Sequence, residues 1–259
     1  TQHADGSWDW PNDLGNFVSA QALVALKFVG RLEPDDARDG ARWLKGQQLP
    51  DGSFGGRPFA TTGDLGATAS AWAAFHACGA EAEAMDQARA WVEAHGGVPA
   101  VIARIAEGDV AALFLALEGL ADAHELPAPP LFLTLLPPVE ELLEKRFNTG
   151  VMMMLAQNGA LVRLLRGDWG EHGDHRGWLA SVECKRALAL IDLYQNPDGS
   201  WNSNSAQQVV AIPALVALGV APGDGRLARA IDWLLAQRVR DANGLWFASF
   251  MSSVWTTAL

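Results

Sequence analysis

Along the chain, apolar residues gather in two alternating kinds of segment. In one kind they fall at nearly every position: Phe17-Val18, Ala20, Leu23-Val24 and Leu26-Lys27-Phe28 form a run that closes at Gly30. In the other they mark a single face: after Pro34-Asp35-Asp36 the apolar positions are Ala37, Ala41 and Trp43-Leu44. Spacings of three and four residues predict helices for both. A glycine just past the last apolar residue suits a left-handed C′ position, and a proline suits the first turn. The pair recurs as Ala67 to Cys78 followed by Ala82 to Glu93, and as Val209 to Leu218 followed by Arg226 to Ala236. A helix that is apolar nearly all round has to be enclosed, and a one-faced helix lies outside it. No alternation of Val, Ile and Thr is long enough to predict a sheet. The expected fold class is all-α: an α/α toroid, with apolar helices in an inner ring and amphipathic helices around it.

A short repeat punctuates these pairs. Gln2-His-Ala-Asp-Gly-Ser-Trp8 is followed by Gln48-Leu-Pro-Asp-Gly-Ser-Phe54, by Gln195-Asn-Pro-Asp-Gly-Ser-Trp201, and by a looser copy from Gln237 through Asn243-Gly244-Leu245-Trp246. Trp91-Val-Glu-Ala-His-Gly-Gly97 keeps only the helix and the glycine. Gly6, Gly52 and Gly97 are 46 and 45 residues apart, and Gly199 and Gly244 again 45. Fixed periods in this range indicate an array of supersecondary units. The 102 residues from Gly97 to Gly199 leave room for two more units with an insertion. Within each turn, glycine can take the positive φ needed to leave a helix sharply. Aspartate and serine can accept from freed amides or cap the next helix. The aromatic ring can bury roughly 150–250 Å². The glutamine can tie neighbouring units by bonding backbone groups. Residues 1–259 are expected to form one α/α-barrel domain, and a chain opening on Thr1 and ending on Ala258-Leu259 reads as a piece of something longer.

Composition narrows the function. Apolar residues make up 49% of the 259, enough for a sizeable core. Nineteen basic residues against 30 acidic ones give a formal charge of −11, with no basic stripe, so nucleic acid is not an expected partner. Apolar runs such as Val110 to Leu117 fall short of the roughly 18 residues a membrane span needs. No signal peptide is read. Cys78 and Cys184 form no CxxC pair; two free thiols fit a reducing compartment, and one disulfide stays open.

Candidate chemistry is sparse. Glu171-His172-Gly-Asp174-His175 has the residues of a metal site, but it lies in a Gly-rich stretch without a helix to fix the imidazoles, and reads as a solvated loop. Glu33-Pro-Asp35-Asp36 reads as a helix start. Glu140, Glu141 and Glu144 read as a solvated face. Met152-Met153-Met154 divides between core packing and the lining of an apolar cavity. GxSxG, Walker A and HExxH are all missing from the sequence. No catalytic residue, metal or cofactor is assigned.

Four further motifs, in order, resemble the squalene–hopene cyclase family of class II triterpene cyclases, whose repeats around Asp-Gly-Ser-Trp are called QW repeats. Gly-Asp64-Leu65-Gly-Ala-Thr68-Ala-Ser-Ala-Trp-Ala-Ala is similar to that family's P-D-L-x-T-T-x-E-A-Y-x-A-L helix. Gly96-Gly97-Val98, Arg104 and Leu115-Ala-Leu117-Glu-Gly119 resemble its G-G-(I/V)…R…L-A-L-x-G segment. Pro129-Pro130 and Leu135-Leu136-Pro137 match its P-P…L-L-P loop, and Ser253-Val-Trp255-Thr-Thr257-Ala-Leu259 its S-P-V-W-D-T-A-L.

The resemblance implies the helical domain that precedes the catalytic one, contributing to an apolar cavity in which a linear polyprene, squalene or a relative, is cyclised through carbocations. It implies as partners that substrate and a catalytic domain, in cis or in trans, whose D-x-D-D motif protonates an alkene. No D-x-D-D occurs in these 259 residues. It implies Trp255 and Phe147 as aromatic cavity walls, and Asn204, Ser205 and Ala206 as a cavity loop. Two departures bear on this. Thr256 stands where the family has aspartate. Asn202 to Gln208 replaces the family's G-G-I-Q-P-P, closer to cyclases of other polyprenes such as tetraprenyl-curcumene. Arg163 to Ser181 is shorter than the family's membrane-facing counterpart, so the expected location is cytoplasmic, with peripheral membrane contact left open. Two other classes stay open: a non-catalytic ring that binds an apolar ligand or protein, and another α/α-toroid enzyme, either a zinc prenyltransferase or a glycosidase.

Overall fold

The computed structural model describes residues 15–129, 131–135, 151–168 and 178–249. Among these the helices are α1 (Asn16–Phe28), α2 (Pro34–Gly46), α3 (Leu65–Cys78), α4 (Ala82–Ala94), the short α5 (Gly97–Ala103), α6 (Ala111–Leu117), α7 (Val151–Leu165), α8 (Trp178–Leu193), α9 (Ser205–Ala217) and α10 (Gly225–Ala236). A hairpin of β1 (Arg238–Asp241) and β2 (Gly244–Phe247) follows.

The all-α reading holds, and the helices close on themselves. Helix α1 packs on α3, α3 on α6, α6 on α7, α7 on α9, and α9 back on α1. Outside this inner ring, α2 covers α1 and α3, α4 covers α3, α8 covers α7 and α10 covers α9. Burial follows the pattern of each sequence. Every residue of α3 from Gly66 to Phe75 is buried, and so are Val18 to Leu26 of α1. Helix α2 buries only Asp36, Gly40, Ala41, Trp43 and Leu44. Small residues set the close approach: a Cβ on Gly40 would meet the Leu23 methyl carbons at 2.8 and 2.9 Å, so glycine there lets α2 lie directly on α1.

The turns work as their composition suggests. Gln48 donates from Nε2 to the carbonyls of Gly52 and Ala84, each at 2.9 Å, the second at the start of α4. Gln195 does the same to Gly199 and Arg226, both at 3.1 Å, the second in the first turn of α10. Each glutamine therefore ties its own turn to the next outer helix. Asp51 Oδ1 accepts from the Ser53 amide and hydroxyl, and Asp198 Oδ1 from those of Ser200. Gly199 has φ +93°, and a Cβ there would lie 2.5 Å from the Arg229 carbonyl carbon. Phe54 and Trp201 are fully buried, and Trp201 Nε1 donates to the Ile191 carbonyl at 2.9 Å.

The fourth copy departs from the expectation of no sheet. After Gln237 the chain forms an antiparallel hairpin, with Val239 opposite Trp246 and Arg240 opposite Leu245. Only four residues pair on each side, too few for an alternation to be visible in sequence. The hairpin lies along α2: Trp246 stacks on Trp43 at 6.2 Å, and Arg238 and Arg240 both pair with Asp36. Asp35 remains an exposed first-turn acid beside Arg38, as a helix start requires. Asp36 does not; it is 2% exposed and joins the first outer helix to the last element. Cys78 and Cys184 are both free thiols, and burial pushes each up to about 12.

Candidate functional site

The inner helices converge with their N-terminal turns on one mouth of the ring. Two adjoining lobes open there. The first, about 260 Å³, is bordered by Phe17 and Gln21 of α1, Gly56, Asp64, Gly66, Ala67 and Ser70 at the start of α3, and Arg104, Gly108, Asp109 and Val110 before α6. The second, about 200 Å³, shares Phe17, Gln21, Gly108 and Val110 and continues to Met154, Gln157 and Asn158 of α7 and Ala206, Gln207 and Val210 of α9. Residues of the first two turns line this space because each inner helix starts at the same rim and buries its remainder against its neighbours.

The first lobe is held by one arginine. Asp64 caps α3 by accepting from the Ala67 amide at 2.9 Å, and its other oxygen accepts from Arg104 Nη2 at 3.1 Å. Arg104 Nε donates to Asp109 at 2.9 Å, and Asp109 in turn accepts from the Ala111 amide at the start of α6. Burial opposes the charge on Arg104, but the two carboxylates outweigh it and raise its pKa above the ordinary value. A Cβ at Gly66 would collide with the Asp109 carboxylate, so glycine is what admits this arrangement. Both carboxylates are occupied by arginine and helix amide. They anchor the first turns of α3 and α6 rather than stand free as acids.

Among the described residues, no charged side chain borders the second lobe. Its lining combines Phe17, Val110, Met154, Ala206 and Val210 with the amides of Gln21, Gln157, Asn158 and Gln207. Gln21 donates to Ser70 Oγ at 3.1 Å, and Gln207 Oε1 accepts from Asn202 at 2.9 Å. The methionine run divides: Met153 is fully buried, whereas Met154 is part-exposed and borders the lobe.

The residues singled out from sequence fall in three places. Ala206 borders the second lobe. Asn204 sits one step back as the cap of α9, its side chain accepting from the Ala206 amide at 2.8 Å. Ser205 is fully buried and turns towards the hairpin, donating to the Ala248 carbonyl at 2.6 Å. Trp255 and Phe147 lie outside the described residues, as do His172, Asp174 and His175. Among the described residues no group of three His, Cys, Asp or Glu could hold a metal ion. Gln21 and Gln157 were not singled out from sequence, although each is a glutamine within a strongly apolar helix.

The family model of the squalene-hopene cyclase N-terminal domain matches residues 1–143. No curated protein matches the chain.

Proposed function

Given that this chain belongs to the squalene-hopene cyclase N-terminal domain family, we propose that it is the non-acid helical domain of a class II terpene cyclase and supplies wall to the cavity in which a linear polyprene is cyclised. The observation that supports this reading is the second lobe: a space at the mouth of a helical ring, lined in part by Phe17 and bordered, among the described residues, by no carboxylate, lysine or histidine. Carbocation chemistry asks for such a lining. A cation migrating along a hydrocarbon is stabilised by aromatic faces, by about 2 kcal/mol or more where water is excluded. It is lost if a base takes its proton early, and amide side chains are very weak bases.

Initiation belongs elsewhere. Protonating an alkene needs a carboxyl kept in its acid form by its surroundings, whereas Asp64 and Asp109 accept from Arg104 and helix amides. The proton is assigned to the D-x-D-D motif of a partner domain, in cis or in trans. Trp255 and Phe147 are proposed as further aromatic walls, and Ala206, with Asn204 and Ser205 behind it, as the cavity loop. Polyprenes are insoluble in water, so delivery from a membrane surface is part of the same proposal. Among the described residues no helix is long and apolar enough to cross a membrane.

The test is to incubate squalene and related polyprenes with the purified chain alone and with the chain joined to a D-x-D-D domain. Cyclised product is expected only in the second case. Product from the chain alone would place an acid within it. Absence of product from both would remove the cyclase assignment and favour a ring that binds an apolar ligand without chemistry.

A further inference from the structure

Four residues border both lobes of the mouth: Phe17 and Gln21 of α1, and Gly108 and Val110 before α6. On one side of them lies the first lobe, where the side chains of Asp64, Asp109 and Arg104 stay 32%, 19% and 33% exposed. Its volume of about 260 Å³ has room for water. A held water needs about two to four polar partners, and these three groups supply them. On the other side the second lobe presents Met154, Ala206 and Val210. Among the four shared residues, Gly108 has no side chain, and Gln21 is buried with its amide held by Ser70. The bulk between a hydrated lobe and a more apolar one is therefore supplied by Phe17 and Val110. Phe17 is the larger of the two, and it packs against the core while staying partly exposed.

A carbocation in the second lobe has two ways to end. Loss of a proton from the carbon beside the cationic centre leaves an alkene. Attack by a water oxygen on that centre forms a C–O bond, and the oxonium then releases a proton to a second water, leaving an alcohol. Each route gives back the single proton that started the reaction, so charge balances in both. The choice turns on whether a water oxygen reaches the cation. Resting on the proposed function, we infer that Phe17 is a specificity-determining residue: its ring, with Val110, keeps water of the first lobe from the cation in the second, and so sets the ratio of alcohol to alkene. An aromatic ring suits this place because its face stabilises a cation and offers no base, so the barrier does not itself end the reaction.

The experiment gives squalene to the chain joined to a D-x-D-D domain, in isotope-labelled water. It reads the ratio of labelled alcohol to alkene by gas chromatography and mass spectrometry. Phe17→Ala, which opens the boundary, is expected to raise that ratio about tenfold, equal to about 1.4 kcal/mol between the two exits. Phe17→Leu keeps most of the bulk and should leave the ratio within about twofold of the parent's, whatever it does to turnover. Val110→Ala opens the same boundary from the other side and should raise the ratio too, so it decides alone if Phe17→Ala does not fold. A merely structural Phe17 would lower both products together and leave their ratio as it was. An unchanged ratio in whichever alanine variant decides, or an equal rise in Phe17→Leu, overturns the inference and leaves the polyprene cavity standing. No product from the parent overturns the cyclase reading, and the inference with it.

Discussion

Arg238 Nη1 donates to the Asp36 carboxylate at 2.8 Å across 202 residues of sequence, joining the last hairpin to the first outer helix. Arg240 reaches the same carboxylate and Asp39 beside it. Asp36 is the buried member of the cluster, while the two arginines are 36% and 48% exposed, so the interaction is asymmetric. Removing an arginine leaves the other to satisfy the aspartate. Removing the aspartate breaks both pairs at once, leaving Arg240 with Asp39 alone and Arg238 with no carboxylate among the described residues.

Asp36→Ala is accordingly expected to destabilise the ring by about 2 kcal/mol, whereas Arg240→Ala costs less than about 1 kcal/mol because its charge is largely hydrated. Urea denaturation of the two variants checks this. Equal effects from both would show that the clasp is a surface ion pair.

Trp201→Ala should cost roughly 3–5 kcal/mol, the usual loss for a fully buried large aromatic. The indole fills the space behind its turn and donates to the Ile191 carbonyl, which the substitution would leave unpaired. A melting temperature equal to the parent's would show that the turn aromatic does not hold the units together.

Asp224 gives an acid-side dependence. Hydrogen bonds from the Arg226 guanidinium, then from the Arg226 amide, hold its carboxyl at about 2, below the ordinary carboxylate value of 3.8. A group depressed in the folded state contributes stability that is present above its unfolded pKa and lost as pH falls through the folded one. The contribution is therefore expected to fade between about pH 4 and pH 2. Asp224→Asn, measured by thermal melting across that window, should show a shallower decline than the parent. Parallel curves would mean that this carboxylate does not link folding to pH.

Much of the architecture was visible in the chain. The all-round apolar runs of α1, α3 and α9 and the one-faced α2, α4 and α10 are direct statements of inner and outer position, because burial acts on each helix separately. Gln48 and Gln195 were readable as ties because the same residue recurs before the same turn. What escaped depends on partners distant in sequence. Asp36 looks like any helix-start acid until Arg238 is placed against it. The hairpin is too short to alternate visibly, and it forms because Trp246 and Gly244 lie on Trp43 and Asp39 of α2. At the mouth, Ala206 reaches the lobe while Ser205, next to it, points to the hairpin, since adjacent residues on a helix face directions about 100° apart. That Gln21 and Gln157 border one space shows only once α1 and α7 are placed in the ring.

The cavity at the mouth of the inner ring is the core of this account, and blocking it is the most direct test. Ala206 lies in the first turn of α9, part-exposed, with its amide already held by Asn204, so Ala206→Phe adds a ring to the lobe without removing a bond. The quantity to measure is squalene retained by the purified protein after exchange from detergent, determined by gas chromatography of the extracted lipid. The parent is expected to retain squalene, and Ala206→Phe to retain at least about tenfold less at an unchanged melting temperature. Equal retention by parent and variant would contradict the placement of the polyprene in this cavity.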